Sequence, residues 1–332
     1  MTKAEVLAEV WRGEFLESVH MGHAVIVDTS GQVVASWGDP DKIILPRSSC
    51  KMIQALPLVE SGAADKAGLR VDQLALSCAS HNSAAIHTDR VSAWLSDLGL
   101  GDDDLRCGSH MPKDPEAHKA LLCSDTEPCQ WHNNCSGKHA GFLTLNAHLG
   151  GGAEYIDPTH PVQMAVRAAF EDVTQMDSPG FVIDGCSAPN FATSLIGLAR
   201  AMAFFAGAKD DTPREQAAIR LRQAMAAFPE LVAGEGRACT ELMRAMNGKA
   251  MMKTGAEAVY TAIIPEKGLG IALKVADGSF RGSEAAMAAL LVRVGALDPN
   301  HPTAKKYLNL PITNCRDIHC GEIRAAETLR AP

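Results

Sequence analysis

Two β-branched runs that fold back on themselves lie at opposite ends of this chain, and that separation limits the available folds more than any other feature. Near the start, Ala24 to Trp37 (AVIVDTSGQVVASW) predicts two strands around Thr29-Ser30-Gly31, because β-branched side chains suit a pleated strand and Ser-Gly suits a turn. Near the end, Ala258 to Ile264 and Gly270 to Val275 flank Pro265-Glu266-Lys267-Gly268 in the same way. Between them the apolar period becomes helical, in Ala84 to Leu98, Pro161 to Val173, Ala192 to Ala208 and Pro213 to Ala227. Phe181-Val182-Ile183, ending in Asp184-Gly185, predicts a short strand entering a turn. Ser283 to Val294 predicts a buried helix with Ser283 at its N-cap. The economical solution is an α+β fold: one antiparallel sheet formed by both chain ends, flanked by helices, with a mainly helical region inserted. No linker or repeat divides the 332 residues. The chain 1–332 therefore reads as a single domain, with a sheet region at about 1–64 and 250–332 and a helical region at about 65–249.

Charge and targeting signals narrow the function classes. With 31 basic and 39 acidic residues the formal charge is −8, which argues against nucleic acid as a partner. The opening MTKAEVLAEVWRGEF lacks the apolar core of a signal peptide, and no window approaches 18 uninterrupted apolar residues. A cytoplasmic location without membrane contact is the expectation. Ten cysteines in such a chain should be mostly reduced thiols, and none forms a Cys-x-x-Cys pair.

Chemistry concentrates in Pro46-Arg47-Ser48-Ser49-Cys50-Lys51, where the apolar pattern turns helical and runs to Gly62. A serine at a helix start and a lysine three residues on share a face, so the amine can take the hydroxyl proton. That requires an amine held uncharged by desolvation or by a second cation. Ser-x-x-Lys alone is commonly a cap followed by a surface lysine. Here Met52, Ile53, Ala55 and Leu56 follow it and predict a buried helix. Two further strings occur in the order found in penicillin-recognising serine enzymes: Ser80-His81-Asn82, and Lys253-Thr254-Gly255 just before a strand.

The segments RGEFLESVHMGHAVIVD, PRSSCKMIQALPLVESG, SCASHNS, NNCSGKHAGF, IDGCSAPNF and KTGAE together resemble the rhizobial-type L-asparaginases, the asparaginase II family (class 3). The resemblance runs from about Val10 to Ile323. It implies a β-lactamase-like serine hydrolase fold, a homodimer, and hydrolysis of L-asparagine to L-aspartate and ammonia. It also implies two Ser-Lys pairs, Ser48 with Lys51 and Ser80 with Lys253, Ser48 being the nucleophile and Ser80 a proton relay. A zinc position is implied at Cys135, Lys138 and Cys186, with Asp184 behind it. Thiolates favour zinc over magnesium or calcium, although lysine is a rare ligand. Such an ion would tune specificity at the substrate's amino or carboxylate end rather than drive bond breaking.

Other residues keep two readings. Arg47 can pair with a carboxylate or form a salt bridge; His139 can be a ligand or a structural hydrogen-bonding group. Asn133 and Asn134 suit a turn as well as amide recognition, and Glu17, His20 and His23 are candidates for a pocket wall. Cys50 either sensitises the serine's surroundings to oxidation or packs. Cys315, His319 and Cys320 lie in what reads as an irregular tail and are assigned no site. The alternatives on the same fold are a glutaminase, another small-amide or β-lactam-type serine hydrolase, and a binding protein without chemistry. Retention of both serines and both lysines disfavours the last.

Overall fold

A computed structural model describes residues 3–330. It divides into two compact units, one of Met1–Ser49, Thr193–Gly207 and Glu241–Pro332, the other of Cys50–Ala192 and Ala208–Thr240. The first holds an eight-stranded sheet in the order Asn309–Thr313, His319–Ala325, Glu5–Arg12, Phe15–Asp28, Leu269–Val275, Val259–Ile264, Met251–Gly255, with Val33–Trp37 paired to Phe15–Asp28 off that path. Every ladder in it is antiparallel. Both ends of the chain thus build one mixed α+β architecture, as the two hairpin patterns predict.

Asp28 closes the first hairpin, its carboxylate accepting from the Ser30 and Gln32 backbone N–H groups and from the Ser30 hydroxyl. The apolar helix Leu195–Gly207 crosses the sheet over the strands carrying Ile26 and Ile271. Gly270 allows that approach: a Cβ there would lie 2.2 Å from the Ala203 nitrogen and 2.3 Å from the Ala199 oxygen. The helix Phe280–Arg293 packs on the strands nearer the chain termini.

The second unit is mainly helical. Its central helix, Ser136–Leu149, is buried from Ser136 to Leu145 and tied to Ala85–Asp97 by the Trp94 indole donating to Thr144 Oγ1 at 3.1 Å. Phe181–Ile183 pairs with Pro189–Phe191 as a short hairpin.

Four expectations change. The apolar run after Lys51 is two helices, Lys51–Gln54 and Leu56–Glu60, because Pro57 has no N–H for the i−4 carbonyl and its ring excludes a continuous turn. The helix predicted from Ala192 begins at Leu195, since Thr193–Ser194 pairs with Ile43–Ile44. The helix assigned to begin after Ser283 begins at Phe280 after Ser279, and Ser283 donates to the Phe280 carbonyl inside it. The tail carrying Cys315, His319 and Cys320 is a hairpin, with His319 and Cys320 on a strand and Cys315 in the turn. No helix among the described residues is long and apolar enough to cross a membrane, and the ten cysteines form no disulfide.

Candidate active site

Ser48 lies in the 3₁₀ turn Arg47–Cys50, which runs directly into Lys51–Gln54. Arg47 enters that turn with φ 53°, a left-handed conformation that costs a non-glycine residue roughly 1–3 kcal/mol and is kept only where surroundings enforce it. In the sheet unit the enforcing neighbours are visible. Ser49 Oγ donates to the Pro46 carbonyl at 2.7 Å, and the Ser49 carbonyl lies 3.0 Å from Thr261 Oγ1. Gly255 abuts the same segment: a Cβ there would be 2.6 Å from Pro46 O and 2.9 Å from Ser49 N. The glycine of Lys253-Thr254-Gly255 therefore lets the edge strand lie against the backbone that presents Ser48. Lys253 is fully buried on that strand, its Nζ donating to the Thr254 carbonyl at 2.8 Å. Thr254 Oγ1 is buried without a hydrogen-bond partner.

The helical unit presents its own set. Lys51 is 1% exposed, and its Nζ donates to the Ala79 carbonyl, to Cys135 Sγ at 3.2 Å and to the Asn134 carbonyl at 3.5 Å. Among the described residues it has no carboxylate partner. Lysine is almost never fully buried unless paired, and here two carbonyls and a sulfur take the place of a carboxylate. Ser80 is anchored by its N–H to the Val232 carbonyl at 2.9 Å, while its Oγ is buried with no partner. His81 holds the loop in place: Ser83 N–H donates to Nδ1, so the ring proton on Nε2 goes to Ser136 Oγ at 2.9 Å. Asn82 accepts from Ala84 N–H and donates to Asp114, a scaffolding role.

Cys135, Lys138 and Cys186 come together in this unit. Lys138 Nζ donates to Cys186 Sγ at 3.0 Å. The Cys135 thiol's hydrogen bond, with the Lys138 charge, outweighs burial and holds the Cys186 thiol well below its usual range. Cys135 is pushed well above it by donating that hydrogen bond and by burial. Burial works against the Lys138 ammonium, but the two sulfurs outweigh it and leave its pKa raised. Two sulfurs and an amine nitrogen are donors suited to a thiophilic divalent ion such as zinc, which would displace protons from Cys135 and Lys138. Among the described residues no three His, Cys, Asp or Glu side chains gather as a metal site, so the amine has to complete any such set.

The remaining candidates resolve individually. Tyr155 O accepts the Arg106 N–H at 2.8 Å, which leaves the phenolic proton for His139 Nδ1 at 2.9 Å. The imidazole proton then sits on Nε2, buried without an oxygen or nitrogen partner and near the Cys186 sulfur. His139 is thus a donor rather than a ligand in this tautomer, and burial lowers its pKa to about 4. Tyr155 follows a glycine-rich stretch, and no sequence motif announces it. Asn133 forms the turn, accepting from Cys135 N–H and donating to the Cys107 carbonyl, each at 2.8 Å. Burial pushes the Cys50 thiol up to about 12, so it packs as an inert thiol. Glu17 pairs with Arg12 on the surface, and His20 with Asp277 at 2.6 Å.

Comparison with solved structures finds weak likenesses. A β-lactamase from Mycobacterium bovis aligns at 12% identity and TM-score 0.45, over 82% of this chain and 94% of that one. The native form of Mglu aligns at 13% identity and TM-score 0.48, over 84% of this chain and 66% of that one, so the chain spans about two thirds of Mglu's length. A search of curated protein sequences gave no match. The sequence model of the family described as L-asparaginase II matches residues 8–325. The chain therefore belongs to the L-asparaginase II family and is an amidohydrolase of the L-asparaginase type.

Proposed function

We propose that the protein hydrolyses L-asparagine to L-aspartate and ammonia, with Ser48 as nucleophile. The observation that carries the reading is Lys51: a buried amine without a carboxylate, heading the helix into which the Ser48 turn runs. Ser48 Oγ attacks the side-chain carboxamide carbon as the Lys51 amine takes its proton, and the helix N-terminus favours the negative charge that develops. Ammonia leaves with a returned proton, and water then hydrolyses the acyl-serine ester. Ser80 and Lys253 are the second Ser-Lys pair, relaying the proton to the leaving group.

Cys135, Lys138 and Cys186 are the residues that would hold zinc, which when bound supplies a fixed positive charge for the substrate's amino-acid end. The Nε2–H of His139, turned toward Cys186, helps hold that sulfur anionic. We also propose a homodimer, as the family resemblance implies, in the cytoplasm; light scattering of the purified protein tests the dimer.

The test is ammonia release from L-asparagine and L-glutamine, and ring opening of a penicillin read by its ultraviolet absorbance, with the same preparation. The expected result is turnover of L-asparagine, lost in Ser48→Ala with an unchanged melting curve. Preference for either other substrate, or an active Ser48→Ala, overturns the reading.

A further inference from the structure

The sheet unit contains a cavity of about 530 Å³ that the reaction above does not use. That volume is in the range of small-molecule sites. Its charged wall carries Lys42, Arg47 and Lys274 against one carboxylate, Glu257, in a chain whose net charge is −8. Its apolar wall is Ile43, Ile44 and Leu45, and Ile43 and Leu45 are 49% and 37% exposed. Two of the chain segments bordering it are conformationally strained, with Arg47 at φ 53° and Glu257 at φ 58°.

Two donors at the cavity are held in fixed positions. His23 is 8% exposed and its Nδ1 accepts the Asp39 N–H at 2.8 Å, so Nε2 carries the proton and has no partner among the described residues. Lys274 Nζ donates to the backbone carbonyls of Val275, at 2.8 Å, and Glu257, which leaves one of its three N–H groups. His23 and Lys274 are directly paired across neighbouring strands. Directly opposed side chains share one face with Cβ atoms about 4.5–5.5 Å apart, a spacing that lets two donors meet the two oxygens of one carboxylate.

We propose that this cavity binds a monocarboxylate with an aliphatic body, the carboxylate gripped by His23 and Lys274 and the hydrocarbon laid against Ile43 and Leu45. An inorganic anion would leave the aliphatic wall in water; an uncharged hydrocarbon would leave the His23 and Lys274 donors unanswered. Lys42, which makes no ion pair among the described residues, adds a long-range field that favours anions. The neutral state of His23, favoured by burial, keeps it a single directed donor.

Hexanoate titrated into the purified full chain, followed by calorimetry, tests this, with hexan-1-ol and hexylamine as controls. The expected result is saturable one-to-one binding of hexanoate at least 10-fold tighter than either control. Ile43→Asp, an exposed change, should weaken it at least 10-fold. His23→Leu should do the same, and His23→Gln, whose amide can accept from Asp39 N–H and still donate, should restore most of it. Equal binding of hexanoate and hexan-1-ol, no saturation, or unchanged affinity in Ile43→Asp and His23→Leu overturns the proposal. The readout is binding rather than turnover, so failure here and failure of the asparagine reading are separable.

Discussion

The Lys138 ammonium donates directly to the Cys186 sulfur at 3.0 Å, and the Cys135 thiol stands close enough to help hold that sulfur anionic. Ammonium and thiolate thus offset each other's charge in a place with almost no solvent. Replacing Cys135 with serine removes a soft donor without emptying the space. It should lower zinc retained after dialysis at least 10-fold, and raise KM for L-asparagine at least 10-fold with kcat within about threefold. Metal analysis and steady-state kinetics check this. A collapse of kcat at constant KM would instead place the cluster in bond breaking.

Lys51→Met keeps the side-chain length and removes the amine. Ammonia release should fall at least 1000-fold while the protein stays folded, and Lys51→Arg should not rescue it, because guanidinium does not give up its proton. Activity assays paired with melting curves decide the matter. Retained turnover in Lys51→Met removes the base from its proposed role.

Gly255→Ala places a methyl group 2.6 Å from Pro46 O and 2.9 Å from Ser49 N, both backbone atoms. A backbone neighbour cannot rotate aside, so the expected cost is about 1–3 kcal/mol, read as a lower urea midpoint at unchanged slope. Because the displaced segment presents Ser48, kcat should also fall, by more than in Gly270→Ala, whose clash with Ala199 and Ala203 lies on the helix side of the sheet.

His81 and His87 are stacked 4.8 Å apart, and burial holds both below the ordinary imidazole value of 6.5. Their folded forms are neutral, so their contribution to stability is complete above 6.5. It is lost as pH falls through 6.5 toward the folded values, because the unfolded chain takes up those protons first. Each histidine should add a slope approaching about 1.4 kcal/mol per pH unit in that window. Urea midpoints from pH 7.5 to 4.5 should flatten in His87→Gln relative to the parent; identical slopes would exclude the pair as the cause.

Tyr155→Phe deletes the one hydroxyl that accepts from Arg106 N–H and donates to His139 Nδ1. Two buried groups lose their partner, at an expected cost of about 1–3 kcal/mol in thermal or urea unfolding. A phenylalanine variant as stable as the parent would show that water replaces the hydroxyl.

How much of this could be read beforehand differs by element. The two hairpins were legible because alternating β-branched runs and a Ser-Gly or Pro-x-x-Gly turn point the same way. The last hairpin was not: Asn309–Thr313 and His319–Ala325 are short and half exposed, with Pro311 inside one and Asn314 to Asp317 between them. Such strands bury too little to show a clear period. Pro57 was visible, but a single proline did not outweigh the apolar spacing around it. The pairing of Lys51 with Cys135 spans 84 positions, and that of His139 with Tyr155 depends on a loop. Neither follows from local pattern, because tertiary packing alone sets them.

The sheet order has a consequence for synthesis. Glu5–Arg12 and Phe15–Asp28 emerge from the ribosome about 240 to 310 residues before their partners Leu269–Val275 and His319–Ala325. At about 5–20 residues per second the early strands wait for tens of seconds with hydrogen-bonding edges uncovered. Cys50–Ala192 and Ala208–Thr240 are complete well before His319–Ala325 appears. The helical part can thus mature on the nascent chain, while the sheet closes only once His319–Ala325 has been made, and that interval is when a holding chaperone has most to protect.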